Sequence, residues 1–513
     1  MNKLSFSIKS LVRWGIVLLL FLAAWNKECL SDFTSRVFDK IEPYFLSEGG
    51  WQGAKALDQT DFIDVSIDTS SQKQLEECLS SNPVSKNWVE AFIKINEGHM
   101  PVKLKFHGSD YPHYENGKYS YTIKAGFKEN AFRRFKLIKA EQASPHMATI
   151  NQLAREMGLI SAHGKMCVLR INGEEKGHYY KVDDIKSQFL KDEYGIERFA
   201  LISNTSDWTR KEGRVHFSEY DFFTGHVENR NDSLFPLALG RYKVLGNYVK
   251  SSDVIGLKPL IDADYMAKYL ALAAVFNDVH FMCGDNLKYI YNFDTRKFYP
   301  IYRAETGGRE LIGDFDKSPI HFDQFLFHSL GEDYAEAKTN DFFKLLLTDP
   351  EIRQLRNVYL NEFLENRDSL YEKMEASHKM GIPFYAHAGG SQKEFQSEFK
   401  SQRKIVDTIL SVATDYLNYT HVYGTIDESN NSIELAVDAF VPVDVCYGND
   451  VLLENVVGLE LNRDLEFEAK YITVDELSEG FDPRKLVFVN GVTQDTVARR
   501  YVYINELSLD SVE

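Results

Sequence analysis

In several runs between Pro101 and Asp184 apolar residues recur at every second position, a period that restricts each run to a strand with one buried and one polar face. VKLKF, YSYTIKA and RRFKLIKA each alternate in this way and predict an antiparallel meander, with the turn-rich HGSDYPHYENGK between the first two. SPHMATINQLAREMGL then changes period: Met147, Ile150, Leu153 and Met157 fall at helical spacing, a Ser-Pro pair opens the run and Gly158 closes it. A helix packed on the meander is expected there. KMCVLRINGEEKGHYYKVDDI returns to period two around Asn172-Gly173, a strong hairpin signal.

The flanking sequence divides the 513 residues further, into more than one domain by length alone. Residues 32–100 are mixed, with a strand expected in FIDVSI and a helix over Ser71–Cys78. Residues 101–185 form the strand-rich unit and residues 186–423 read as mainly helical. Within the latter, Asp262 is placed to cap IDADYMAKYLALAAVFNDVHF, whose apolar character predicts a buried helix. Two more helices are expected around Asp349–Ser377 and Ser391–Tyr419. From residue 424 to 513 short β-rich runs separated by turn residues predict an all-β domain.

The first 31 residues carry Lys3, Lys9 and Arg13 ahead of an apolar run ending at Trp25, followed by polar sequence. That order predicts a signal anchor, membrane contact through residues 11–25, a cytoplasmic N-terminus and an extracytoplasmic bulk, periplasmic or at the cell surface. The apolar run is short for a span, so a cleaved signal peptide and a buried helix stand as alternatives.

Charge and motif content exclude several classes. With 59 basic against 76 acidic residues, net −17, the chain is a poor generic nucleic-acid binder, because a phosphate backbone attracts the opposite sign. Five scattered cysteines without a CxxC pair define neither a zinc site nor a disulfide framework, and Cys167 and Cys446 lie in apolar runs that suit buried thiols. The signatures of P-loop NTPases, α/β-hydrolases and zincins do not occur.

One stretch does concentrate polar chemistry. NDVHFMCGDNLKYIYNFDTRKFYPIYRAETG, from Asn277 to Gly307, reads as a helix end, a polar loop and a hairpin carrying Asp278, Asp285, Asn286 and Glu305. An acid that serves as a base toward a hydroxyl, with oxygen ligands for Mg²⁺, is the minimal kit for phosphoryl transfer. The same residues also suit a solvated helix terminus and turn, and spacing does not separate the two.

From about Pro101 to Tyr419 the chain resembles the CotH kinase family, the spore-coat-type atypical protein kinases. VKLKFHGS with YSYTIKA resembles the family's "VRGNSS…KKPYKIKL", and VLRINGEEKGHYYKVDDI its "ylNGeyqGlYllvEdid". RRFKLIKA with the INQLAREMGL helix follows in order, and GDNLKYIYNFDTRKFYPI is similar to "GhNyyLY…tgkFhfiPWD". The hairpin match is the most specific, since it keeps both turn glycines and the acidic pair after the strand.

The resemblance implies an α+β, two-lobed atypical protein-kinase-like fold that binds ATP with Mg²⁺ or Mn²⁺ and transfers the γ-phosphoryl to a protein or glycan hydroxyl. Residue by residue, it implies that Lys124 pairs with phosphate and that Asp183 lies at the interlobe connection. It implies Asp278 as the catalytic carboxylate and Asn286 as a metal or phosphate contact, with Asp285 standing where the family often has His. The chain departs at "PWD", which here is Ile301-Tyr302-Arg303. A guanidinium cannot coordinate a cation, so either Glu305 supplies the missing carboxylate or Arg303 holds phosphate directly. Three functions follow: an active kinase of the cell envelope, a pseudokinase that binds nucleotide without transfer, and an envelope scaffold presenting its C-terminal β domain.

Overall fold

The computed structural model describes residues 56–504, leaving aside 81–84, 96–97, 109–117, 126–133, 140–145, 205–207, 212–213, 218–224, 228–233, 279, 283–286, 305–317, 325–339, 390, 428–431, 449, 463–464, 470, 475–481, 483–484 and 498–499. The period-two segments build the first unit. Strands β1 (Phe62–Ser66), β2 (Val89–Ile95), β3 (Gly98–Phe106), β4 (Tyr121–Ala125), β5 (Phe135–Lys139), β6 (Gly164–Ile171) and β7 (Glu174–Asp183) close into a barrel in the order β1-β2-β3-β4-β5-β7-β6. All neighbours are antiparallel except β1 and β6, whose parallel pairing closes the ring. Closure leaves no sheet edge exposed.

Alternate residues point inward, and Val102, Leu104, Ile123, Leu137 and Leu169 fill the barrel. Asn172 and Gly173 both take positive φ, 54° and 79°, the mirror-image turn that an Asn-Gly hairpin requires. Helix α1 (Thr69–Ser80) crosses between β1 and β2, and α2 (His146–Glu156) between β5 and β6. Gly164 admits the ring of Tyr180; a Cβ there would stand 2.0 Å from its hydroxyl.

Helix α3 (Ser187–Tyr194) leads into the second unit. There β8 (Phe199–Asn204), β11 (Gly225–Val227), β12 (Lys288–Asn292) and β13 (Lys297–Pro300) form a sheet in the order β11-β8-β12-β13, beside a separate hairpin of β9 (Trp208–Lys211) and β10 (Arg214–Phe217). Helix α4 (Phe235–Ser251) precedes α5 (Ala263–Phe276), which is apolar nearly all round and therefore central. Asp262 caps α5 by accepting from the Tyr265 amide at 3.2 Å, and Asn277 ends it in the left-handed region at φ 48°. Helices α6 (Asn340–Thr348), α7 (Pro350–Glu365), α8 (Arg367–His387) and α9 (Gln392–Asn418) complete the unit.

The C-terminal strands form β20-β15-β14-β22 (Tyr471–Val474, Ser432–Ala439, Thr420–Asp427, Arg500–Ile504), β17-β16-β21 (Asp450–Val456, Val443–Tyr447, Leu486–Asn490) and β18-β19 (Leu459–Leu461, Phe467–Ala469). They have a core of their own around Val422, Leu435 and Phe488. Phe440, Val441, Leu459 and Val492, however, join the large hydrophobic cluster of the helical unit.

These findings correct the expected fold class and location. The protein is mixed α/β: a closed seven-stranded barrel takes in strands upstream of residue 101, and the mainly helical unit that follows it also carries a four-stranded sheet and a hairpin. β1 and β2, from the upstream sequence, are barrel staves, because a meander left open would expose unpaired backbone groups. The expected membrane anchor finds no support: no helix among the described residues is long and apolar enough to cross a membrane, and residues 11–25 lie outside them. The extracytoplasmic location, which depended on that anchor, falls with it.

Candidate anion-binding cleft

Where β7 leaves the barrel and crosses to α3, the chain runs past the end of β5, the buried side of α2 and the segment after β13. These elements enclose a narrow cleft with about 620 Å³ of empty space, its open mouth included, although room for the centres of water-sized molecules is only about 70 Å³. Its apolar lining comes from Ile138, Met147, Val182, Ile185, Leu201 and Ile301. Among the described residues its charged lining comprises four cations, Lys136, Lys186, Lys288 and Arg303, and two carboxylates, Asp183 and Asp184.

Asp184 is already committed: it pairs with Arg134 at 2.7 Å and lies 3.9 Å from Lys136. Burial penalises its carboxylate, yet Lys136, Arg134, Lys186 and Lys288 outweigh that penalty and hold its pKa below the ordinary value. Lys186 pays for the crowding. Burial, then repulsion from Arg134, Lys288 and Lys105 against the attraction of Asp184, pushes its pKa down to about 8. The cationic surface continues onto the barrel wall, where Lys124 and Lys105 lie 4.2 and 4.7 Å from the ring centre of Trp88 and Arg134 lies 5.5 Å away. Both lysines are held below their ordinary pKa, first by burial and then by nearby cations: Arg134, Lys86 and Lys124 for Lys105, and Arg134 and Lys103 for Lys124.

A fixed frame supports the cleft. Asn151, buried on α2, donates to the Tyr180 hydroxyl at 3.3 Å, and its carbonyl oxygen accepts from the Ser161 hydroxyl at 3.0 Å and from the Ala304 amide at 3.1 Å. The last bond pins the residue after Arg303 to the helix. Tyr302 donates its amide to the Ile160 carbonyl at 2.8 Å, so both neighbours of the Arg303 backbone are tied down.

The expected site residues are only partly brought together. Asp183 and Arg303 line the cleft. Lys124 does not; it lies on β4 over Trp88, and Lys136, on the next strand, takes the cleft-facing position. Asp278 is fully buried just past α5, its amide bonded to the Ala273 carbonyl at 3.1 Å, and it does not line the cleft. Its charge reaches Tyr302, which does, and adds to the burial that raises the Tyr302 pKa well above its ordinary value. Asp285, Asn286 and Glu305 lie outside the described residues. The sequence reading missed Lys136, Lys186, Lys288, Arg134, Trp88 and Asn151; only Asn151, a polar residue on the apolar stripe of α2, carried a signal.

The described residues do not fit a divalent ion. No group of three or more His, Cys, Asp or Glu among them is arranged to hold a metal, and the cleft carboxylates stand among cations. Fold and cleft thus define a mixed α/β protein with a cation-lined, partly apolar cavity. No protein-family model and no curated protein matches the sequence. A solved structure, described as the crystal structure of the Golgi casein kinase, matches with a TM-score of 0.23 and 11% identity over 67% of this chain and 76% of that one. A kinase is therefore a weak structural neighbour, and likeness this slight carries no argument about function.

Proposed function

We propose that the cleft binds ATP and that the protein is a nucleotide-binding relative of the CotH kinases. The observation that carries this reading is the charge of the described lining: Lys136, Lys186, Lys288 and Arg303 stand against the two carboxylates of Asp183 and Asp184 in one narrow cavity of a chain whose net charge is −17. Like charges held together in a half-buried site repel one another, and a polyphosphate relieves that cost. The apolar wall of Ile138, Met147 and Leu201 suits a purine base. Arg303, in the place of the family's metal-binding aspartate, holds phosphate directly on this reading.

In the transfer reaction the acceptor hydroxyl, of a protein or a glycan, gives its proton to a carboxylate and bonds to the γ-phosphorus as the γ-phosphorus–oxygen bond to the leaving ADP breaks. Asp278 is the candidate for that carboxylate; Asp285, Asn286 and Glu305 are the residues that would hold Mg²⁺ or Mn²⁺, which would offset the charge of the phosphates. The second reading, nucleotide binding without transfer, is favoured by the complete burial of Asp278. Binding of a fluorescent ATP analogue in EDTA, with and without Arg303→Ala, tests the first statement; undiminished binding by the variant refutes it. Incorporation of labelled phosphate with Mn²⁺, compared with Asp278→Asn and Glu305→Ala, separates the readings. Equal incorporation by wild type and Asp278→Asn sinks the transfer mechanism as drawn.

A further inference from the structure

Four of the chain's 14 histidines, His146, His178, His378 and His387, are gathered where α8 and α9 lie against α2 and the barrel. Three of them belong to one continuous row of rings. His146 of α2 stacks on Phe399 of α9 at 5.4 Å, and Phe399 stacks on His378 of α8 at 4.2 Å. His378 also stacks on Phe395 at 4.3 Å, Phe395 meets Tyr385 at 4.1 Å, and Tyr385 reaches His178 of β7 at 4.7 Å. Beyond the row His387, the last residue of α8, bonds Glu175 of β7 at 2.8 Å and sets its ring edge-on to Phe62 of β1. The helix is thus fastened to α9 near its middle and to the barrel at its end. Between those points lies a weak turn: Pro383 has no amide hydrogen for the Lys379 carbonyl, and Gly381 beside it is the residue type most costly to hold in a helix short of proline.

The two fastenings respond to acid in opposite senses. Protonation turns the His387 bond to Glu175 into an ion pair, whereas it puts a charge on His378 or His146 where burial, to 4% and 2% exposure, strips its water. The surrounding charges do little to offset this. Glu375 faces His378 from α8 but is exposed and paired with Lys379 at 2.8 Å, with Arg403 of α9 acting on it too. Gln396 of α9 hydrogen-bonds the His378 ring, while Glu156 of α2 is engaged by Lys373 and Glu175 has Arg170 of β6 at 3.9 Å. Glu398, on the same face of α9, is not among the charges that shift either imidazole. Attraction to the Phe faces offsets part of the cost, and burial prevails. It pushes the His146 pKa down to about 3, with repulsion from His378 added, and holds that of His378 below its ordinary value.

We propose that α8 is an acid-released latch: below neutral pH α9 and α2 part along the histidine row, α8 bends at Gly381–Pro383, and its last turn stays on the barrel through His387 and Glu175. In an open form the imidazoles titrate near the ordinary 6.5, so it takes up protons that the closed form refuses until about pH 3. The closed form is therefore fully stable above about 6.5 and loses stability as pH falls toward 3. At pH 5 the open form gains about thirtyfold through His146 alone, the factor by which an imidazole of pKa 6.5 favours the proton there. The proposal is independent of nucleotide binding in the cleft.

Hydrogen exchange of the full chain, read by mass spectrometry at pH 7.5 and pH 5 and corrected for the intrinsic pH dependence of exchange, tests the latch. Protection is expected to fall by about thirtyfold or more at pH 5 over residues 146–153, 374–382 and 395–406, while strands β3, β6 and β15 keep theirs. His378→Phe and His146→Phe each keep an aromatic ring in the row but take no proton, so each should lessen the fall and the double variant abolish it. Glu398→Gln should respond as the wild type does. In His387→Gln the last turn of α8 and residues 174–178 should lose protection at pH 5 as well. The wild-type pattern is decisive even where a variant fails to fold. No fall in the wild type, an equal fall along the whole chain, or an undiminished fall in the double variant overturns the proposal. An unchanged last turn in His387→Gln or a lost response in Glu398→Gln does so too.

Discussion

Lys186 offers the sharpest test of the cleft. Its pKa of about 8 lies well below the lysine value of 10.5, so at roughly 1.4 kcal/mol per pH unit the folded protein disfavours the charged form by about 3 kcal/mol. Between those two values the unfolded chain holds the proton more tightly than the folded one. This residue's contribution to stability therefore rises as pH climbs from about 8 toward 10.5, and at neutral pH its charge destabilises the fold. A bound polyphosphate reverses the balance by stabilising the ammonium. About nine-tenths of Lys186 is charged one pH unit below its pKa and about one-tenth one unit above, so ATP affinity is expected to fall about tenfold from pH 7 to pH 9. Phosphate's own last ionisation, near pH 6, lies below that window. Lys186→Met is expected to raise the midpoint of thermal unfolding at pH 7 while weakening ATP binding and flattening its pH dependence. Titration of the fluorescent ATP analogue in EDTA across this range measures the binding, and differential scanning calorimetry the stability. A flat profile in the wild type, or the same fall in Lys186→Met, refutes the assignment of this lysine to the phosphates.

Four other outcomes are expected. Arg303→Ala should weaken metal-free ATP binding by about tenfold to a hundredfold, the loss of a charge-assisted bond worth roughly 1.5–3 kcal/mol, measured by the same titration. Asn151→Ala leaves the buried Ala304 amide and the Ser161 hydroxyl short of an acceptor and should cost about 1–3 kcal/mol of stability in urea unfolding, with ATP affinity falling as the Arg303 segment loosens. Asp323→Ala should cost about 3–5 kcal/mol, because it strands Arg356, whose guanidinium pairs with Asp323 at 2.6 Å with both side chains buried. Gly164→Ala should be strongly destabilising by the same assay, since its methyl would occupy the place of the Tyr180 hydroxyl and break the bond to Asn151.

Much of the local structure was legible. The Asn172-Gly173 turn, the cap at Asp262, α2 and the β12–β13 hairpin form where the sequence indicates, because each rests on contacts within a few residues. The single long helix expected over Asp349–Ser377 is instead α7 and α8, broken at Asn366. Of the site residues, Asp183 and Arg303 were reachable by motif order. Lys136, Lys186 and Lys288 were not, since each is an ordinary surface-pattern lysine on its own element. Nothing local distinguishes them from Lys124, which the barrel turns toward Trp88.

The amino-acid sequence alone determined the periodicity of the chain, its turns and caps, and the two glycines of the hairpin. These depend on backbone conformational preference and on which face of each element is apolar. Tertiary structure alone decided that β1 returns beside β6 to close a barrel and that cations from β5, β12 and the links after β7 and β13 share one cavity. It also decided that Asp278 lies buried behind Tyr302 instead of at the cleft surface. Charge repulsion and burial act through space, and residues from 136 to 303 meet only once the chain has folded.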